Sequence, residues 1–179
     1  MSLITPSAEM FDRVVGLRVV RSFTHDPIPA DELAAILEAA RWTGSSKNRQ
    51  GWEFIVIDGD QLDVVATAGS FTDPIRNSVM TIALVETTEG NPFDIGRVAQ
   101  NIMLAAAARG IGSCPITLHD TDRATEVLEL PSGLGCKYAI ALGYPSDEGE
   151  IEQRAARRAA GMFGRKPMAG LTHRQRYGT

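Results

Sequence analysis

The chain has 179 residues, 44% of them hydrophobic and 22% charged. This is the composition and length of one ordinary globular domain spanning residues 1–179, and it excludes collagen-like, coiled-coil and wholly disordered chains. The formal net charge of −4 is unevenly spread: residues 151–179 carry seven basic groups against the one acid Glu152, a +6 tail on a −10 body.

Pro6 and Ser7 open a predicted helix that runs to about Leu17, with Met10, Val14 and Leu17 as its apolar stripe and Phe11 and Val15 beside them. An extended stretch follows from Arg18 to Phe23, then a loop punctuated by Pro27 and Pro29. Asp31 and Glu32 suit the first turn of a second helix, whose buried face is Leu33, Ile36, Leu37 and Ala40. Thr43 to Gly51 reads as a polar loop, and Phe54 to Ile57 as a short strand closed by the Asp58-Gly59 turn. A short helix is expected from Gln61 to Ala68, and a strand buried on both faces from Ser78 to Val85.

Asp94 to Arg109 is apolar nearly all round, so a central buried helix is expected there, ended by Gly110. Ser113 to Leu118 reads as a strand. Thr121 to Leu128 reads as a helix capped by Thr121 or Asp120, and Tyr138 to Leu142 as a strand stopped by Gly143-Tyr144-Pro145. A helix near Glu148 to Arg158 and an irregular basic arm complete the chain. The elements mix helices and strands, so the expected class is α+β.

The longest apolar run, Val79 to Val85, is broken by Thr81 and falls short of the roughly 18 residues of a membrane span. Met1 to Met10 lacks a basic region followed by an apolar core, so no secretory leader is expected there. Cys114 and Cys136 form no CxxC and read as reduced core thiols of a cytoplasmic protein. The acidic body, without an RNP, zinc-finger or helix-turn-helix pattern, argues against nucleic acid as the main ligand.

Several motifs fail. Gly110-Ile111-Gly112 lacks the third glycine of a dinucleotide fingerprint and precedes a strand instead of a helix. The loop from Gly44 to Gly51 has no GK[ST], and no GxSxG or HExxH occurs. His25, His119 and His173 are scattered, so neither a catalytic triad nor a metal site is expected, and His119-Asp120 reads as a surface pair.

Three segments remain. Along Arg18-Val19-Val20-Arg21-Ser22-Phe23, alternation points Arg18 and Val20 one way and Val19 and Arg21 the other. Ser45-Ser46-Lys47-Asn48-Arg49-Gln50-Gly51-Trp52 offers amides and hydroxyls that suit the edge of a flat heterocycle. Asp94 to Asn101 leads into the alanine-rich helix and the Gly110-Ile111-Gly112-Ser113 turn.

In order and spacing, these segments resemble the nitroreductase family of FMN-dependent oxidoreductases. The RRSxRxF-like start is occupied by Leu17 to Phe23, the PxP loop by Pro27-Ile28-Pro29, and the PSxxNxQPW loop by Gly44 to Trp52. Asp94 to Asn101 matches a D-x-G-x-x-x-Q-N helix, and Gly110 to Ser113 a GLGS turn. An LGYP strand end at Leu142 to Pro145 and a basic Arg165-Lys166-Pro167 complete a likeness that covers about Arg18 to Pro167.

The resemblance implies a nitroreductase-like mixed β-sheet of four to five strands surrounded by helices, a buried central helix, and a C-terminal arm reaching the partner of a homodimer. It implies FMN bound at the dimer interface, with NAD(P)H as electron donor. By this likeness Arg18 faces the FMN phosphate or ribityl chain, Val19 stands at the motif's serine, and Arg165 and Lys166 close the phosphate site. Arg21 lies near N1 and O2 of the flavin, where a fixed cation favours the reduced state. Ser45, Ser46, Asn48 and Gln50 reach the ring from the partner chain, and the Ile111-Gly112 backbone lies on its other side.

The implied activity is ping-pong transfer of a hydride from NAD(P)H through FMN to a nitroaromatic, quinone or similar small acceptor. No catalytic side chain is implied, since the cofactor carries the chemistry. Leu17 and Val19 replace the family's arginine and serine. That loss motivates two alternatives, a flavin-binding sensor or carrier without turnover and a relative acting on the flavin itself.

Overall fold

The computed structural model describes residues 6–162 and 164–178; residues 1–5 of the stretch read for a leader lie outside them. Ser7 opens helix α1 (Ala8–Gly16), its hydroxyl accepting the Met10 N–H at 3.2 Å. Helix α2 (Ala30–Arg41) buries Ile36 and Ala40 completely. After strand β1 (Trp52–Ile57) come two short helices, α3 (Gln61–Ala66) and α4 (Asp73–Arg76). The sequence reading did not anticipate α4, because a single turn has no periodicity to detect. Strand β2 (Met80–Glu86) leads to α5 (Pro92–Ala108), whose N-cap Asn91 accepts the Asp94 N–H at 3.0 Å. Next are β3 (Gly112–Thr117), α6 (Thr121–Val127), β4 (Gly135–Gly143) and α7 (Asp147–Ala159). Asp120, not Thr121, caps α6.

Among the described residues the four strands form one sheet in the order β1-β2-β4-β3, and every pairing is antiparallel. The expected class, α+β, holds, but the sheet is not mixed. β2 and β3 run in the same direction, yet β4 lies between them and pairs antiparallel with both. The strands are each longer than expected at β1 and β4, and β2 is buried on both faces as its apolar run implies.

Strand alternation sorts the core into two layers. Ile82, Leu84, Ile140 and Leu142 pack with Ile36 of α2 and Ile95, Val98 and Ile102 of α5. Ala83, Ala139, Ala141 and Cys136 pack on the opposite side with Leu62 and Val65 of α3, Ile75 of α4 and Ala124 of α6. The small residues on that second face admit the short helices closely. α5 is central but not buried all round: Phe93 is exposed, as are Gly96, Arg97 and Gln100. Of the expected α1 stripe, Leu17 packs against the core, but no described residue buries Met10 or Val14. Met10, Phe11, Val14 and Val15 are all exposed, and no α1 residue is buried.

The extended segment 18–23 lies across the ends of β3 and β4. Val20 N–H donates to the Ser113 carbonyl at 2.9 Å, Thr24 N–H to Tyr144 at 2.8 Å, and Phe23 forms a bridge with Pro145. Two glycines permit this approach. A Cβ at Gly112 would fall 2.8 Å from Val20 Cβ, and one at Gly143 would fall 2.8 Å from Phe23 Cβ. Gly143→Ala must therefore displace Phe23 or the strand end. The expected loss is about 1–3 kcal/mol, the usual range for overpacking, read as a lower urea midpoint at unchanged m-value.

Candidate functional site

An open groove of about 720 Å³ lies between α1 and the turn before β3. Arg18, Val20, Ile111 and Gly112 line it together, with Glu9 and Asp12 on the α1 side. Its volume suits a small-molecule site, which typically measures roughly 300–1,000 Å³. The Arg18 guanidinium is exposed and held in place by the chain itself, Nη1 donating to the carbonyls of Val15 at 2.8 Å and Leu17 at 2.7 Å. Ile111 is 2% exposed, so its side chain belongs to the core and only its backbone faces the groove. The space above Gly112 Cα is taken by Val20, an alternative to ligand contact as the reason for glycine there.

The alternation expected of the extended segment places its arginines apart. Arg18 and Val20 line the groove and Arg21 does not; Val19 packs between the two core layers. The backbone N–H groups of Arg21 and Ser22 both donate to the Glu150 carboxylate of α7, the Ser22 bond at 3.0 Å. Glu150 is only 6% exposed, and Arg154 Nε stands 3.6 Å from its second oxygen. Nearby, burial raises the Cys114 pKa; Arg21 and Arg157 oppose that shift, and Glu150 reinforces it. The sequence counts Arg154 and Arg157 among the seven basic groups of the tail but does not join them to Glu150. Their i, i+4, i+7 spacing in a predicted helix was the available signal.

The polar loop is a separate construction. Lys47, Asn48 and Gln50 all adopt left-handed backbone, with φ of 54°, 55° and 51°, a conformation that costs roughly 1–2 kcal/mol per residue for most side chains. The ends of the loop are pinned. Arg97 of α5 donates to the Gly44 carbonyl and is itself paired with the buried Asp94 at 3.3 Å. Asn101 donates to the Thr43 hydroxyl at 2.7 Å, and the Ser45 hydroxyl accepts the Gln50 N–H at 2.9 Å. At the far end Gly51 abuts Gly90 so closely that a Cβ would lie 2.4 Å from the Gly90 nitrogen, and Trp52 is buried. Ser45 is partly exposed; Ser46, Asn48 and Gln50 are exposed.

The structure thus brings Arg18, Ile111 and Gly112 to one groove and leaves the loop residues elsewhere. Gln50 lines a second groove of about 390 Å³ with Arg41, Trp52 and Phe54. Arg165 and Lys166 are exposed on the arm, and Arg165 Nη1 donates to the adjacent Gly164 carbonyl at 2.9 Å. The donor chemistry fits a flavin mononucleotide in two parts: an apolar groove with an exposed guanidinium, and a stiff loop of outward-facing amides and hydroxyls.

An antiparallel four-stranded sheet with helices packed on both faces is the fold of a class of oxidoreductases. The chain belongs to the nitroreductase family, whose sequence model matches residues 16–91 and 85–144. It is 27% identical over 172 residues to the oxygen-insensitive NADPH nitroreductase of Salmonella typhimurium, covering 84% of this chain and 70% of that protein. The structure is similar to an FMN-dependent nitroreductase from Clostridium difficile, with a TM-score of 0.72, 25% identity, and coverage of 76% of this chain and 88% of that one. The fold extends to nitroreductase A from Vibrio parahaemolyticus, with a TM-score of 0.82 at 21% identity, over 97% of this chain and 78% of that one.

Two outcomes are expected. Arg97→Met removes a charged hydrogen bond worth about 1.5–3 kcal/mol, so amide exchange across residues 44–50 should accelerate about tenfold or more while the core of α5 stays protected. Burial pushes the Cys136 thiol from an ordinary value of 9.0 up to about 11. The folded state holds that proton more tightly, so its stabilising effect is complete below pH 9 and is lost as pH rises towards 11. Denaturant midpoints should fall across that window in the parent and fall less in Cys136→Ala.

Proposed function

We propose that this protein is an FMN-dependent oxidoreductase that works as a homodimer, passing a hydride from NAD(P)H through FMN to a nitroaromatic, quinone or similar small acceptor in ping-pong fashion. The observation that carries this reading is the division of the site. Arg18, Ile111 and Gly112 border one groove, whereas Gln50 of the pinned loop borders another. One ligand touching both sets requires two chains, each giving its loop to the other's groove. The uncovered stripe of Met10, Phe11, Val14 and Val15, with exposed Phe93, provides apolar surface for a second copy. On this reading residues 1–179 form one FMN-binding domain, its C-terminal arm reaches the partner, and the enzyme acts in the cytoplasm without nucleic-acid or membrane partners. No helix among the described residues is long and apolar enough to cross a membrane.

When bound, FMN supplies the two-electron redox chemistry, and the protein supplies position and charge. Arg18 offers its guanidinium to the phosphate or ribityl chain from a fixed carbonyl perch. Arg165 and Lys166 are the motif's phosphate cations. Arg21, its backbone clamped by Glu150, holds a positive charge where negative charge develops on the reduced ring. Val19 stands at the motif's serine, packed against the core, and the Ile111-Gly112 backbone would lie along one ring face. Ser45, Ser46, Asn48 and Gln50 of the partner chain donate and accept at the ring edge from a loop already locked in shape, so little ordering entropy is lost on binding.

Leu17 lines the groove and Val19 is packed in the core, so neither supplies a polar contact. This favours, as the second reading, a flavin-binding protein without turnover, whether sensor or carrier. The visible spectrum of the purified protein before and after NADPH separates the readings. Yellow protein bleached by NADPH and restored by a quinone or nitro compound is the expected result. Bound flavin that NAD(P)H cannot reduce would establish the second reading, and consumption of the flavin ring in air would establish a relative that acts on flavin itself. A colourless protein that takes up no FMN contradicts all three. Light scattering should give twice the chain mass, and a monomer fully loaded with FMN would contradict the shared site.

A further inference from the structure

Helix α7 is joined to the rest of the chain by polar contacts and hardly by packing. None of its described residues belongs to either core layer, and Ile151, its only large aliphatic side chain, is 70% exposed. Among its described side chains Glu150 alone is buried. A carboxylate taken out of water needs donors to meet its charge. Its Oε1 accepts the backbone N–H groups of both Arg21 and Ser22, the latter at 3.0 Å, whereas Oε2 lies towards the exposed Arg154, whose Nε is 3.6 Å away. The Ser22 carbonyl in turn accepts the N–H of Ser146, the N-cap residue of α7, at 2.9 Å. Ser22 is thus held at both its N–H and its C=O by the start of one helix.

This grip falls on the segment that forms the groove wall. On one side of it Val20 N–H is bonded to Ser113 of β3, and Val20 and Arg18 line the groove. On the other side Thr24 N–H is bonded to Tyr144. Between these anchors, at Arg21 and Ser22, the acceptor comes from α7 and not from the sheet. A helix with so little apolar burial opens far more readily than the core, so this clamp decides whether α7 is docked.

Resting on the flavin reading above, we propose that α7 is a strap closed by Glu150, and that Glu150 is a positioning residue for the ligand of the groove. It holds Arg21 and Ser22 so that Arg18, three residues back, keeps its place in the groove wall. The coupling is reciprocal: the factor that closure adds to ligand affinity is the factor that bound ligand adds to closure.

The test uses the full chain, Glu150→Leu and Glu150→Gln, each with and without Arg18→Gln. The glutamine amide offers one oxygen that can stand in for Oε1 and accept both N–H groups, whereas leucine has similar bulk and no acceptor. Amide exchange is read first, without flavin. In Glu150→Leu, residues 21–22 and α7 should exchange together about tenfold faster or more, the loss of a charge-assisted bond, while β2 and β4 keep their protection. Glu150→Gln should stay close to the parent. Unchanged α7 exchange in Glu150→Leu, or an equal effect in Glu150→Gln, overturns the strap. FMN affinity is read second. Glu150→Leu should weaken FMN about tenfold or more where Arg18 is present and much less in the Arg18→Gln background, with Glu150→Gln restoring most of the loss. Equal losses in both backgrounds would mark Glu150 as structural only and overturn the positioning role. Bound FMN should also slow α7 exchange in the parent, and no slowing contradicts the coupling. A parent chain that binds no flavin sinks the flavin reading and the positioning role with it, whereas the strap then stands or falls on exchange alone.

Discussion

The contact on which the rest depends is the close passage of residues 18–23 over the ends of β3 and β4. Gly112 and Gly143 present no side chain there, so Val20 and Phe23 settle against the sheet and the backbone bonds from Val20 to Ser113 and from Thr24 to Tyr144 can form. Everything assigned a role follows from that line of chain. Its alternation sends Arg18 into the groove and Arg21 away from it. Its N–H groups at Arg21 and Ser22 donate to the Glu150 carboxylate and so tie α7 to it. The groove lies between this segment, α1 and the turn before β3, while Met10, Phe11, Val14 and Val15 of α1 stay exposed.

The fold was largely legible because its periodicities are strong. α5 was readable from its apolar continuity and the Gly110 stop, and β2 from an unbroken apolar run that its two-sided burial explains. What was not legible is long-range. The order β1-β2-β4-β3, which removes any parallel pair, depends on where β4 inserts, and no local pattern encodes that. Of the α1 stripe Leu17 meets the core while Met10 and Val14 stay exposed, because hydrophobic spacing reports that a face is to be covered and not by what.

The candidate site was legible by likeness more than by chemistry. Taken singly, Arg18, Ser45 or Gln50 reads as a surface residue, and the order of motifs is what joins them. The physical reasons emerge only in three dimensions. Asp94, Arg97 and Asn101, which read as part of a packed helix, anchor the loop between Thr43 and Gly51. Glu150 read as one charge among many in a polar helix, yet it is buried and bonded across more than a hundred residues of sequence. Gly112 borders the groove and also makes room for Val20.

The central claim is that groove and loop, apart in each chain, complete one flavin site only across two chains. Mixed dimers test it most directly. One chain carries Arg18→Gln, the other Ser46→Ala with Asn48→Ala, and each alone is expected to bind FMN poorly. Unfolded together and refolded, they should regain tight FMN binding at one site in every mixed dimer, because one composite site then receives both intact halves. Recovery of no tight site in the mixture, with mixed dimers present, would contradict a site built from two chains.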